Sequence, residues 1–246
     1  RLDLLAWAER AGATVIEDDP AGEFRLRGPA VPALRALVRG ANVVTLEGLD
    51  ELLFDGLALG CLIAPAGLAD RIAARLDLLG RTPGALEQRA LARLIVDGHF
   101  DRHLRRLRQR LRERQAALLD AVREDGQGLL RAAPSVAGRH LVVTVTDPSI
   151  SARTAAARAA REGVLVESLA AHRRHGGADR DLLIGYSTEL PERIREGVRR
   201  LVAAMTATGT RAAGTSATIP MGPGRHHEAR VRNGGPIVPR LAVALD

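Results

Sequence analysis

Three consecutive acids, Glu17, Asp18 and Asp19, are the residues of this sequence best placed to do chemistry. They follow a short apolar run, Ala13 to Ile16, of the type that forms a buried parallel strand. Open α/β sheets bind ligands beyond the carboxyl ends of such strands. The segment is therefore a candidate ligand site, although an acid after a strand is more often a cap or a surface group.

The sequence contains no lysine, and all 36 of its basic residues are arginines. This chain by itself therefore cannot supply a lysine to form an imine with an aldehyde. The formal net charge of +7 is explained either by a compositional bias toward arginine or by an anionic partner such as nucleic acid. Aromatic residues make up only 2% of the chain, which argues against a base-stacking surface.

Other chemical motifs are weak. Ser187 lacks the glycine-flanked elbow of a hydrolase nucleophile. His226 and His227 lie in a segment rich in glycine and proline without a third positioned ligand, so we predict no metal site. The single cysteine, Cys61, excludes an internal disulfide and a cysteine zinc cluster.

Hydrophobic periodicity and the glycine and proline positions predict alternating strands and helices. The predicted helices cover residues 2–11, 65–79, 83–97, 99–122, 151–162 and 191–205. The predicted strands cover residues 13–16, 42–46, 57–63, 129–132, 140–145, 164–166 and 182–186. In the helix that starts at His99, leucines at helical spacing form one apolar stripe, and arginines occupy much of the remaining surface. That surface is interpreted as an ordinary solvated face, with a nucleic-acid contact as the alternative.

Four segments together resemble a known family. They are Val15 to Asp19 with Glu23 to Arg25 close behind, Leu52 to Gly60, Gly98 to Arg106, and Ile194 to Leu201. They are similar to the class I aminotransferases and, more narrowly, to the aminotransferase-like domain of MocR-type regulators, a subgroup of the GntR transcription factors. The resemblance covers about residues 1–205. It implies an α/β fold, part of the pyridoxal phosphate (PLP)-dependent transferase fold, with a parallel-sheet large-domain piece and a small α+β domain.

The resemblance also implies a cofactor site, which this sequence retains only in part. Asp18 stands where the family keeps the pyridine nitrogen of PLP protonated. Pro20 replaces a tyrosine that contacts the cofactor's phenolic oxygen, and Glu51 stands at the position of the Schiff-base lysine. Ala58 replaces the arginine that binds the cofactor phosphate. We therefore expect no covalently bound PLP, and binding of any kind stays open.

In the family that the chain resembles, the arginine that pairs with a substrate carboxylate lies five residues before a step from glycine to an aromatic residue. Counted back from Gly185 and Tyr186, the resemblance implies Arg180 for this role. Arg173 and Arg174 are competing candidates, and a surface loop arginine is an equally good interpretation. No residue is expected to act as a catalyst.

The resemblance predicts the following organisation: residues 1–100 as part of the large domain, 101–123 as a linking helix, 124–205 as the small domain and 206–246 as a disordered tail. The family's glycine-rich phosphate loop and its helix-turn-helix DNA-binding domain are expected to lie before Arg1, so DNA would be bound only by a domain outside this chain.

The favoured hypothesis is a degenerate aminotransferase-like domain that senses an effector, dimerises, or is a decayed fragment. The alternatives are part of an active PLP-dependent aminotransferase and a basic nucleic-acid-binding protein. We expect a homodimeric parent, a cytoplasmic location and no membrane association, since no apolar run is long enough to span a bilayer.

Overall fold

The structure is a computed structural model, which describes residues 1–54, 56–57, 59–174, 177–207 and 240–243. Two four-stranded sheets are joined by one long helix. The first sheet belongs to the amino-terminal part of the chain and the second to the carboxyl-terminal part. This arrangement agrees with the predicted α/β class.

The first sheet contains β1 (Val15–Asp18), β2 (Val43–Gly48) and β3 (Leu59–Ile63). β1 and β2 pair in parallel, with Asp18 opposite Leu46, because the long connection 19–42 carries the chain back to the same end of the sheet. It holds a 3₁₀ turn (Gly22–Phe24) and the short α2 (Leu34–Leu37). β2 and β3 pair antiparallel, because residues 49–58 are too few for a crossover. The parallel pairing predicted for this sheet therefore holds for β1 with β2 but not for β2 with β3.

The predicted disordered tail falls largely on residues outside the described part of the chain. Four of its residues, Arg240–Val243, form a strand, β8, that pairs in parallel with β3. The structure describes these four residues as a strand, and the disordered tail otherwise stays a prediction. Their sequence includes the apolar run Leu241 to Val243, and the free edge of β3 offers unpaired backbone groups to it.

Helices frame the first sheet and lead to the second. α1 (Leu2–Ala11) ends at Gly12, whose φ of 61° suits the left-handed cap position. α3 (Ala66–Leu78) and α4 (Ala85–Val96) follow β3. Gly98, at φ 70°, separates α4 from α5 (His99–Glu124) and lets the chain change direction between them. α5 runs two residues beyond its predicted end.

The second sheet has the order β4 (Leu130–Ala132), β5 (His140–Val145), β7 (Asp181–Gly185), β6 (Glu167–Ser168), and every pairing in it is antiparallel. α6 (Ala152–Arg161) and α7 (Pro191–Thr206) complete this half. The strand predicted at 164–166 is displaced to 167–168. The backbone N–H of Val164 instead donates to Ala159 O at the end of α6. This donor is therefore used by the helix end and does not pair with a neighbouring strand.

One hydrophobic core joins the two halves. Residues from both sheets and from α5, α6 and α7 belong to it, including Phe24, Leu52, Leu111, Val143 and Leu201. α5 contributes Leu104, Leu111, Leu118 and Val122, in agreement with the predicted apolar stripe. A smaller cluster of Leu5, Leu34 and Val43 lies under α1. The shared core fixes the loop after β2 against the small sheet, which positions the candidate site.

Candidate functional site

Asp18 is the last residue of β1 and its side chain is exposed. It shares a face of the strand with Ile16, which is 66% exposed, since alternate residues point to the same side. Glu17 points the other way, accepts a hydrogen bond from the backbone N–H of Leu34 at 2.8 Å and pairs with Arg1. Among the three acids, Asp18 is therefore the one directed to the exposed face of the sheet.

Glu51 lies in the loop after β2 and is ion-paired with an arginine of the small domain. Arg139 Nη2 donates to Glu51 Oε2 at 2.8 Å. The guanidinium of Arg139 also lies over the ring of Phe24, 5.0 Å from its centroid, a favourable cation–π geometry. Phe24 is buried, so this carboxylate, guanidinium and ring connect the loop, the chain after β1 and the start of β5.

The backbone around Glu51 is held by neighbouring elements. His103 of α5 places Nε2 2.7 Å from Leu52 O, and the N–H of Leu49 donates to Leu59 O at 3.0 Å. The Leu52 side chain is buried in the shared core. Glu51 thus lies between two residues, Leu49 and Leu52, whose backbone groups are hydrogen-bonded to β3 and α5.

A cavity of about 330 Å³ lies on the opposite side of β1 and β2 from Asp18. Glu17, Thr45 and Glu47 line it from the two strands, and the ion-paired Arg108 of α5 and Glu23 line it as well. Burial raises the pKa of Glu47 to about 7, and the nearby negative charges of Glu23, Asp19 and Asp18 add to this effect. A buried carboxyl among other acids retains its proton to higher pH than in water.

The arginines proposed for substrate binding lie elsewhere. Arg180 immediately precedes β7, and its carbonyl accepts from the N–H of Val145 at 2.7 Å. Val145 is at the far end of β5 from Arg139, about 20 Å along the strand. Arg173 pairs with Asp181, while Arg174 is exposed. The structure does not bring Arg180 together with Glu51, and its role in binding a carboxylate stays a prediction.

A larger groove of about 750 Å³ runs between β7 and α7. Ser187 and His140 both line it, and the carbonyl of Ser187 accepts a hydrogen bond from Arg114. Burial, and to a lesser degree Arg139, lower the pKa of His140, while Glu167 and Glu51 act in the opposite direction. No hydrogen bond in the described part of the chain joins Ser187 to a histidine, so the groove offers no activated nucleophile.

No group of three or more His, Cys, Asp and Glu residues within the described ranges is arranged to hold a metal ion. His226 and His227 lie outside those ranges. Of the helices that the structure describes, none combines the length and the apolar character needed to cross a bilayer.

The residues present do not fit PLP held through an imine. Glu51 offers a carboxylate where the resemblance places an amine, and Arg139 already engages it. Pro20, in the turn after β1, has no hydroxyl group to donate. Ala58 lies outside the described residues. Only Asp18, as an exposed carboxylate at the end of β1, retains a group of the expected type.

Sequence reasoning missed Arg139, Glu47 and Arg108. Arg139 precedes a strand and carries no motif of its own, so its partner is visible only in the folded chain. Glu47 does give a signal, because it is a charged residue at the end of an otherwise apolar strand pattern. Arg108 is one of many arginines on α5, and its sequence context does not distinguish it from the exposed ones.

Comparison with known proteins places these features in a family, although no family model matches the chain. The chain is 32% identical over 207 residues to the probable rhizopine catabolism regulatory protein MocR of Rhizobium meliloti, covering 84% of this chain and 42% of that protein. It is 31% identical over 201 residues to the HTH-type transcriptional regulator YhdI of Bacillus subtilis, covering 82% and 43%. The chain therefore spans less than half the length of these relatives.

Among solved structures, the chain is similar to the α-aminoadipate aminotransferase LysN of Thermus thermophilus, crystallised with N-(5'-phosphopyridoxyl)-L-leucine. The TM-score is 0.66 at 28% identity, and the match covers 82% of this chain and 52% of that one. The predicted fold class, a partial PLP-dependent transferase fold, is confirmed. Together with the regulator relatives, this likeness shows that the chain is homologous to MocR-type regulators of the GntR family and corresponds to part of their aminotransferase-like domain.

Proposed function

We propose that this domain is non-catalytic and serves a MocR-type regulator by sensing an effector or by dimerising. The observation that carries the proposal is the ion pair between Glu51 and Arg139. At the position that the resemblance assigns to the Schiff-base lysine, the side chain is an acid that ties the loop after β2 to the small domain. A carboxylate cannot form an imine with an aldehyde, so the covalent route of the aminotransferases is closed.

The proposal includes PLP as a ligand that is bound without a covalent bond. The structural relatives are PLP enzymes, and Asp18 keeps a carboxylate suited to a protonated pyridine nitrogen. With Pro20 and Glu51 at the neighbouring positions, we propose that any pyridoxal compound bound here is held without a covalent bond. Calorimetric titration with PLP and amino acids distinguishes such a binding domain from a decayed fragment, which would bind neither.

Exposed apolar residues support an association role. α1 exposes Leu2 and Trp7, β1 exposes Ile16, and α4 exposes Leu86 and Val96. Such side chains mark a site that another protein segment covers where they form one contiguous patch. We propose that the remaining part of the domain and a second subunit cover them, in a homodimeric parent located in the cytoplasm. DNA recognition then resides in a separate domain, as the HTH names of the relatives indicate for those proteins.

Spectroscopy and an assay of turnover test the absence of catalysis. The purified chain is mixed with PLP, an amino acid and a 2-oxo acid, and the visible imine absorbance and the 2-oxo acid product are measured. We expect no more product and no stronger imine absorbance than in the same mixture of PLP, amino acid and 2-oxo acid without the chain. The variant Glu51→Gln should behave identically, and it should lose only about 0.2–1 kcal/mol of stability, the usual value of an exposed ion pair.

Sedimentation velocity and calorimetric titration with PLP and amino acids test the association and sensing roles. A dimer, or a saturable heat of binding without turnover, supports the proposal. Transamination that depends on the chain shows instead that the active aminotransferase hypothesis is right. A monomer that binds none of these compounds identifies the chain as a decayed fragment.

A further inference from the structure

One face of α5 carries a dense group of exposed arginines: Arg102, Arg105, Arg106, Arg110 and Arg112. At 3.6 residues per turn they fall within an arc of about 160°, opposite the buried stripe of Leu104 and Leu111. They extend over about 15 Å of the helix axis. We call this set the α5 arginine face.

The α5 arginine face is unpaired, in contrast to the arginines of α7. In the described part of the chain, none of its five guanidinium groups is ion-paired with a carboxylate; Arg102 only approaches His99 Nδ1, at 3.2 Å. On α7, Arg193 pairs with Glu189, and both Arg199 and Arg200 pair with Glu196. A compositional bias toward arginine affects both helices alike, so it does not explain why these three arginines of α7 are ion-paired while the five of the α5 arginine face are not.

Few acids offset this charge. Glu113 lies within the same arc and accepts a hydrogen bond from Gln109, and Asp101 precedes the face in the first turn of the helix. The inward-facing Arg108 and Arg114 are used elsewhere, on Glu23 and on the carbonyl of Ser187. The α5 arginine face is therefore a net positive surface, with one carboxylate, Glu113, within its arc, and it is presented by a helix that the shared core holds in place.

We propose that the α5 arginine face binds the phosphate backbone of duplex DNA, as a second contact in addition to the separate DNA-binding domain. Arginine pairs bidentately with phosphate, and contacts of this type are independent of base sequence. The choice of DNA over other polyanions rests on the proposed regulator function. The low aromatic content agrees with backbone contact rather than base stacking.

Fluorescence anisotropy of a labelled random-sequence duplex, titrated with the 246-residue chain between 50 and 200 mM salt, tests this contact. If each arginine contacts one phosphate, the slope of log K against log salt is about −4.5, and the affinity falls roughly 500-fold over this range. The triple variant R105A/R106A/R112A keeps two of the five arginines, so its slope is about −1.8. Its DNA affinity should then fall only roughly 12-fold over the same salt range. Alanine preserves the helix, and circular dichroism confirms this.

The matched control is R193A/R199A/R200A, which removes the same charge from the paired arginines of α7 and should leave the slope unchanged. Equal slopes for the two triple variants overturn the proposal, because binding then depends on net charge alone. Absence of DNA binding at 50 mM salt overturns it too. So does retention of the chain on phosphatidylserine vesicles, through the same three arginines, in preference to DNA. These measurements use neither PLP nor an amino acid. A negative DNA-binding result therefore refutes only the DNA contact, whereas turnover in the transamination assay refutes the proposed non-catalytic function.

Discussion

Replacing Glu47 with glutamine tests the arrangement of charge in the cavity beneath β1 and β2. The folded chain raises the pKa of this carboxyl from 4.5 to about 7, through burial first and then through Glu23, Asp19 and Asp18. The unfolded chain loses the proton near pH 4.5, while the folded chain keeps it until about pH 7. Between these values unfolding releases a proton, so the folded state loses stability as the pH rises.

The size of this loss follows from the shift. One pKa unit corresponds to about 1.4 kcal/mol, so the shift sets an upper limit of about 3 kcal/mol. Glu47 is only partly buried, and solvent screens its interaction with the neighbouring acids. We therefore expect about 1–2 kcal/mol. Glu47→Gln removes the ionisable group, so the variant should be more stable than the parent by this amount at pH 8 and nearly equal to it at pH 5.

Urea unfolding at pH 5 and pH 8, followed by circular dichroism, measures the effect. Glu113→Gln is the matched control, because it removes an exposed carboxylate of α5 from a position outside the cavity. The stability difference between the Glu47→Gln variant and the parent should grow with pH, while that of the control should not. A difference for Glu47→Gln that is the same at both pH values refutes the reasoning, since it means that folding leaves the proton affinity of Glu47 unchanged.

Three further changes test the core and the helix ends by urea or thermal unfolding. Tyr186→Phe removes the hydroxyl group that accepts from Gln115 Nε2 at 3.1 Å. The buried amide left without this partner should lower the free energy of unfolding by about 1–3 kcal/mol. An unchanged unfolding midpoint would show that water replaces the hydroxyl. Leu111→Ala, at a fully buried position of α5, should cost about 2–5 kcal/mol, and a loss below 1 kcal/mol would contradict the shared core. Ser151→Ala removes the cap that accepts from the Thr154 N–H at 3.0 Å, with an expected loss of about 0.5–2 kcal/mol, whereas Ser151→Asn should retain most of the stability.

Local sequence patterns were sufficient to predict most of the elements. The apolar stripe of α5 follows from helical spacing and is confirmed, and the helix predicted over 191–205 is observed as α7. The pairing direction of β3 is not a local property, because it depends on where the short loop 49–58 returns the chain. β8 depends on the free edge of β3, which no feature of residues 240–243 reveals.

For the candidate site, the sequence predicted which residues belong to it but not the contacts that they make. The resemblance led to Asp18 and Glu51, and the structure shows one to be exposed and the other to be paired. The partner Arg139 is 88 residues from Glu51 in the chain, and nothing in the spacing of the two indicates contact. The location of Arg180 could not be predicted either. Counting back from Gly185 gives its place in the sequence, just before β7, but not the end of the sheet at which it lies.

The contact between Glu51 and Arg139 also restricts the evolutionary paths open to this domain. At the position that the resemblance assigns to the Schiff-base lysine, a change from glutamate to lysine would place an ammonium beside a guanidinium that now stands 2.8 Å from the acid. The two cations would repel, and the connection from the loop to the small domain would be lost. A lysine at position 51 would therefore keep this contact only with a compensating change at Arg139, and loss of the exposed pair would cost about 0.2–1 kcal/mol.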